Sequence, residues 1–153
     1  MSHRNNVPEW RDLLEQGLIA DTIEVSGNWS QIDAIYEDVV AALKTVPDCV
    51  NASAHSSHVY RSGINLYFTF ACTPEDASVM GDRYLESWDR ALTATAEAGG
   101  GIAHHHGSGR LRRDYLHHDL GENGLALMRK LKQAIDPQDI LNPGNLLPLE
   151  DAD

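Results

Sequence analysis

Apolar residues recur along the chain with two periods that take turns. PEWRDLLEQG (residues 8–17) predicts a short helix, with Pro8 in its first turn and Gly17 as its stop. In DTIEVSGNW (21–29) the period drops towards two, with Ile23 and Val25 facing one way, which predicts a strand. Ile32, Ile35, Val39, Leu43 and Val46 then return at helical spacing as far as Pro47, and Ser30 with Asp33 forms a candidate capping box. CVNASAHSSHVY (49–60) and INLYFTFAC (64–72) are joined by RSG and predict a hairpin. In its second strand Ile64, Leu66, Phe68 and Phe70 share one face, and Asn65, Tyr67 and Thr69 share the other. A long helix is expected from Thr73 as N-cap, with Pro74 in the first turn and Asp76 near it, to the stop at Gly99–Gly101. GIAHHH (101–106) reads as a short strand or an extended loop. RLRRDYLHHDL (110–120) and ENGLALMRKLKQAI (122–135) predict two more helices, the last stopped by Asp136-Pro137 before the turn-rich DILNPGNLLP.

Strand, helix, strand, strand, helix, strand is the ferredoxin-like βαββαβ order. It predicts an α+β domain: one antiparallel sheet with two helices on one face, followed by C-terminal helices. An antiparallel sheet can leave its second face open.

At 153 residues the chain suits a single domain with a real core, and its 42% apolar residues argue against disorder. A net charge of −11 speaks against nucleic acid or an anionic membrane as partner. No apolar run approaches the roughly 20 residues of a transmembrane segment, and the opening MSHRNNVPEW is polar, unlike a signal peptide. Cys49 and Cys72 form no CxxC, which suits a reducing compartment such as the cytoplasm.

The most unusual stretch is GGGIAHHHGSGRLRRDYL (99–116), with three consecutive histidines between glycines. Three readings compete. The first is a solvated loop. The second is a metal site, since imidazole is a common ligand for zinc and related ions. On a strand, however, adjacent residues point to opposite faces, so at most His104 and His106 share a side. His55, His58, His117 and His118 stand at no recognised ligand spacing, so no metal is expected. The third reading is the polar wall of an active site, where histidines bind anions, move protons near pH 7 and stack on a planar cofactor. Gly107 and Gly109 would let backbone approach a bulky ligand.

The whole segment from Gly99 to Pro148, including Asp136-Pro137 and Ile140-Leu141-Asn142-Pro143-Gly144, resembles the C-terminal part of FAD-linked oxidases of the vanillyl-alcohol-oxidase superfamily. The histidine run resembles that of alkyldihydroxyacetonephosphate synthases. Related D-lactate, glycolate and 2-hydroxyglutarate dehydrogenases have Glu-His-Gly there, with His105 standing where that Glu would be. PEWRDLL, DTIEVSGNW and SSHVYRSGINLYFTF look like further family segments, so the resemblance covers almost the whole chain. It implies that the chain is a cap or substrate domain without the N-terminal FAD-binding domain, inert or nearly so by itself, because the flavin carries the hard chemistry.

The resemblance also implies roles. Tyr67 would be the catalytic tyrosine, moving a proton at the substrate carbon that meets the flavin. His104, His105 and His106 would line the flavin and substrate cavity and assist proton traffic and phosphate binding. Arg11 would grip a substrate phosphate, where a guanidinium fork suits two oxygens. His58, with Tyr60 beside it at the hairpin, would face the same cavity, and Asn142 would touch the flavin. Arg110, Arg112 and Arg113 read equally well as a solvated helix face. The implied reaction exchanges the acyl group of acyl-dihydroxyacetone phosphate, a lipid-like phosphorylated substrate, for a long-chain alcohol through a flavin adduct. The implied cofactor is FAD, held with an FAD-binding domain or subunit. An FAD-linked 2-hydroxyacid dehydrogenase is the enzyme alternative. A non-catalytic ferredoxin-like module that binds a small ligand or a partner is the other, whose apolar open face would favour a homo-oligomer.

Overall fold

The computed structural model describes residues 9–147. A short α1 (Trp10–Glu15) leads into β1 (Ile19–Asn28), α2 (Ile32–Lys44), β2 (Cys49–His55) and β3 (Gly63–Cys72). A single 3-10 turn (Ala77–Val79) precedes α3 (Met80–Glu97). The chain closes with α4 (Gly109–Arg112), a second 3-10 turn (Arg113–Tyr115) and α5 (Leu116–Ile135). Pro8, read as part of the first helix, lies outside the described residues.

The sheet order is β1-β3-β2, antiparallel throughout. β1 pairs with β3 from Ile19–Cys72 to Asn28–Gly63, which sets Glu24 opposite Tyr67, and β2 sets His55 opposite the same tyrosine. This is the expected split order, with one difference. The fourth strand is reduced to a single bridge between Ser26 and Gly101, closed by hydrogen bonds of 3.0 and 2.8 Å. Beyond Gly101 the backbone is claimed by the C-terminal helices instead of a ladder. The Ile102 amide donates to the Asp119 carboxylate at 3.2 Å, and the Ile102 carbonyl accepts from Arg112 Nε at 2.9 Å.

Period-two alternation on β3 sends Leu66, Phe68, Phe70 and Cys72 to the side covered by α2 and α3. There they meet Ile23 and Val25 of β1, Ile35, Val39 and Leu43 of α2, and Trp88, Ala91 and Leu92 of α3. The opposite face carries Thr22, Glu24 and Ser26, Ser53 and His55, and Asn65, Tyr67 and Thr69. It is polar, which removes the apolar oligomerisation surface considered from the sequence.

Several boundaries moved. The helix expected from Thr73 begins later, because the Asp76 side chain accepts from the Ser78 amide at 2.8 Å and organises a 3-10 turn first. Gln31, with no side-chain capping bond, replaces Ser30 as N-cap of α2. β2 stops at His55, since Asn65 Oδ1 takes the amides of Ser57 and His58 at 3.1 and 2.9 Å and draws that segment out of the ladder. The two C-terminal helices appear as one element broken at Gly121, whose φ of 64° is left-handed. Among the described residues, no helix is long and apolar enough to cross a membrane.

Candidate active site on the open sheet face

The site is organised by a residue that sequence reasoning passed over. Glu24 lies mid-strand on β1, on the open face, and is 0% exposed. Its Oε1 accepts from Asn65 Nδ2 at 2.7 Å and from His104 Nδ1 at 3.1 Å, and lies 2.7 Å from His105 Nδ1 in an ion-pair contact. Its Oε2 accepts from the His105 backbone amide at 3.1 Å and lies 4.0 Å from His106 Nε2. Burial works to raise the Glu24 carboxyl. The hydrogen bonds from Asn65, the His105 amide and His104, with the charge of His105, outweigh it and hold the group below the usual carboxylate range.

An ionised carboxylate can only accept, so the His104 Nδ1 that bonds it carries the hydrogen, and His105 Nδ1 lies 2.8 Å from that same nitrogen. The Tyr60 hydroxyl meets His104 Nε2 at 2.9 Å. The Tyr67 hydroxyl is hydrogen-bonded to His106 Nε2, and its ring stacks on His55 with centroids 5.2 Å apart. His58 packs against the same cluster, its ring 5.5 Å from His104 and 4.8 Å from His105.

The expectation that neighbouring histidines must diverge assumed a strand. Residues 102–108 form no strand, and His104 and His105 both turn Nδ1 onto Glu24. Glu24, His58, His104 and His105 each bring one ligand atom within 4.8 Å of the others, so these four could hold a metal ion.

Arg112 is the second missed residue. Although one of three arginines on a basic stretch, it is 5% exposed, not solvated. Its guanidinium donates to the carbonyls of Ile102 (2.9 Å), Gly107 (3.2 Å) and Glu24 (3.2 Å), and lies 4.7 Å from the Trp88 ring centroid. It pins both ends of the histidine loop to β1. Burial pushes its pKa down, opposed by the charge of Glu24. A glutamate between Ile23 and Val25, where strands disfavour it, was a readable signal for Glu24. Nothing in the sequence distinguished Arg112 from Arg110 and Arg113.

Tyr67, His104, His105, His106 and His58 are therefore brought together. Arg11 and Asn142 are not part of the cluster. Arg11 lies on α1, which packs on the other side of the sheet: Trp10 meets Tyr84 of α3 edge-on at 5.9 Å, and Tyr84 packs on Phe70. Asn142 stands in the tail beyond α5, at φ 49°, where Lys132 Nζ bonds the Leu141 carbonyl and Arg113 the Gly144 carbonyl.

A planar ring laid on the open face would meet a phenol, imidazoles and their polar edges. Tyr67 is half-buried, and the His105 side chain is 45% exposed. The donors and acceptors present fit the reacting edge of a flavin.

An antiparallel sheet with helices on one face and a histidine–tyrosine cluster on the other defines an α+β domain with one open, polar face. The chain belongs to the family of FAD linked oxidases, C-terminal domain, whose pattern matches residues 1–146. It is 35% identical over 150 residues to the uncharacterised FAD-linked oxidoreductase YgcU of Escherichia coli K12, covering 90% of this chain and 30% of that protein. It is 44% identical over 125 residues to the mitochondrial D-lactate dehydrogenase (cytochrome) of Kluyveromyces lactis, covering 76% of this chain and 21% of that protein. Among solved structures it is similar to an alkyldihydroxyacetonephosphate synthase, with a TM-score of 0.56 and 25% identity over 86% of this chain and 21% of that one. The chain thus spans under a third of the length of each of these proteins.

The lowered Glu24 pKa has a consequence for stability. A carboxyl depressed in the folded state contributes stability above its unfolded pKa, and that contribution is lost as pH falls through the folded value. Stability of the chain is therefore expected to fall with acid below about pH 4.3, the ordinary glutamate value. Glu24→Gln should flatten that part of the profile. Urea midpoints measured from pH 7 to 3 check it, and parallel acid limbs in the two proteins would contradict it.

Proposed function

We propose that this chain is the substrate-side portion of an FAD-dependent enzyme of the alkyldihydroxyacetonephosphate synthase kind, exchanging the acyl group of acyl-dihydroxyacetone phosphate for a long-chain alcohol. The observation that carries the reading is the Tyr67–His106 hydrogen bond on the open face, beside a triple-histidine cluster gathered on one buried carboxylate. Tyr67, His105 and His106 would stand against the flavin. Bound FAD supplies the redox-active ring chemistry that no side chain here can provide.

The chain's own groups manage the proton. Tyr67 would hand its own hydroxyl proton to His106 Nε2 and take in its place the proton leaving the substrate carbon. Glu24, fixed and negative, opposes the positive charge that then builds on the imidazoles. Arg11 lies off this face, so a substrate phosphate would be held here by His58, His104 or Tyr60, or by a partner FAD-binding domain.

A second reading, an FAD-linked 2-hydroxyacid dehydrogenase, is favoured by the D-lactate dehydrogenase likeness. An assembly of this chain with an FAD-binding domain, given acyl-dihydroxyacetone phosphate and a fatty alcohol, is expected to release free fatty acid and form the alkyl product. Reduction of a dye by D-lactate, with no alkyl product, would replace the first reading by the second.

A further inference from the structure

Cys49 opens β2 and Cys72 closes β3, and the two are direct partners in the sheet register. The Thr73 amide donates to the Asp48 carbonyl at 3.0 Å, just outside the pair, while the Cys49 amide is used by Val46. This makes Cys49–Cys72 a non-hydrogen-bonded antiparallel pair, the position where Cα atoms stand about 4.5 Å apart and side chains come closest. That spacing falls inside the Cα window of about 4.4–6.8 Å that a disulfide accepts. Partners in register point to the same face, so both thiols lie on the helix-covered side.

Both cysteines are free thiols. They differ in access. Cys49 is partly exposed on an edge strand, its Sγ 3.4 Å from the Asn51 carbonyl oxygen. Cys72 is fully buried, its Sγ 3.8 Å from Ser87 Oγ. Burial pushes the Cys72 thiol up; the Ser87 hydrogen bond opposes this, and the neighbouring Cys49 adds to the rise, so the two sulfurs feel one another.

We propose that Cys49 and Cys72 form a reversible cross-strand disulfide, with Cys49 as the thiol that meets the oxidant and Cys72 as the resolving thiol. The oxidant is a small disulfide of the glutathione type. The Cys49 thiolate attacks one of its sulfurs, making a mixed disulfide and expelling one small thiolate, which takes up a proton. Cys72 then gives its proton to solvent and attacks Cys49 Sγ, releasing the second small thiolate. Two protein thiols lose two electrons and two protons, and one small disulfide becomes two thiols. The bridge fastens the β2 edge to central β3 and closes the segment carrying His55, His58, Tyr60 and Tyr67. It stands apart from any assignment of the enzyme's reaction.

The test uses the whole 153-residue chain in buffers of graded reduced and oxidised glutathione, quenched by alkylation and read by mass spectrometry. The expected product has lost two hydrogens, takes up no alkylating agent, yields a Cys49–Cys72 linked peptide and reverts with dithiothreitol. Its melting temperature should rise by roughly 5–10 °C, as closure of a loop in the unfolded chain implies. Cys72→Ser should stop at a glutathione adduct on Cys49. A stable glutathione adduct on the unaltered chain, two retained thiols under excess oxidised glutathione, or bridges between chains would each overturn the proposal.

Discussion

Tyr67→Phe is expected to lower turnover by about 10²–10⁴-fold in a flavin-loaded assembly containing this chain, the usual worth of a positioned acid or base. The physical basis is the location of the hydroxyl. Tyr67 sits on the open face of β3, its ring stacked on His55 and its oxygen bonded to His106. The phenylalanine ring would keep the stack and the sheet pairing, and would lose only the group that exchanges a proton. Flavin content should be unchanged, and the melting temperature of the chain should move by no more than about 2 °C, since the hydroxyl makes no core contact. Unaltered turnover with intact flavin would remove Tyr67 from the proton path and the Tyr67–His106 contact from the proposed reaction.

Arg112→Met is expected to have the largest effect on stability, about 3–5 kcal/mol, the range for removing one member of a buried charged network. Methionine keeps much of the apolar stem over Trp88 but leaves the carbonyls of Glu24, Ile102 and Gly107 without their donors. It also leaves the Glu24 carboxylate buried without the guanidinium charge that Arg112 supplies. For a domain of this size the melting temperature should drop by roughly 10 °C. Arg112→Lys, which retains the charge and loses the three-way fork, should fall between. Thermal melts followed by circular dichroism would decide; a methionine variant melting within about 2 °C of the unaltered chain would show that the histidine loop holds itself.

The two effects test different parts of one construction. The strand pair β1–β3 sets Glu24 opposite Tyr67 through backbone register alone. The histidines reach that pair only because a loop from the far end of α3 is folded over β1 and stapled there by Arg112. Loss of Tyr67 should therefore be felt in chemistry, and loss of Arg112 first in folding.

Much of this was written in local pattern. The alternation in INLYFTF separates Leu66 and Phe68 from Asn65 and Tyr67 whatever the rest of the chain does, because the side-chain period of a strand is two. The helical spacing of Ile35, Val39 and Leu43, the stops at Gly99–Gly101 and Asp136, and the break at Gly121 follow from equally local rules of turn and cap chemistry. The family segments around the triple histidine were likewise legible as strings of residues.

Other features required long-range competition for backbone groups and charge. Whether GIAHHH would be a strand depended on who took the Ile102 amide and carbonyl, and Asp119 and Arg112 took both. Adjacent histidines could converge only once that ladder was lost. Arg112 looks ordinary in one dimension, and Glu24 stands out only by its place between Ile23 and Val25. They become the frame of the site because folding buries a carboxylate and a guanidinium, and an unsatisfied buried charge costs so much that nearby donors and acceptors must gather round it. The sequence by itself determined which faces exist and which residues lie on each. The tertiary structure decided which charges are buried, and therefore that five histidines, two tyrosines and one glutamate share a single face, with Arg11 left on the other side of the sheet.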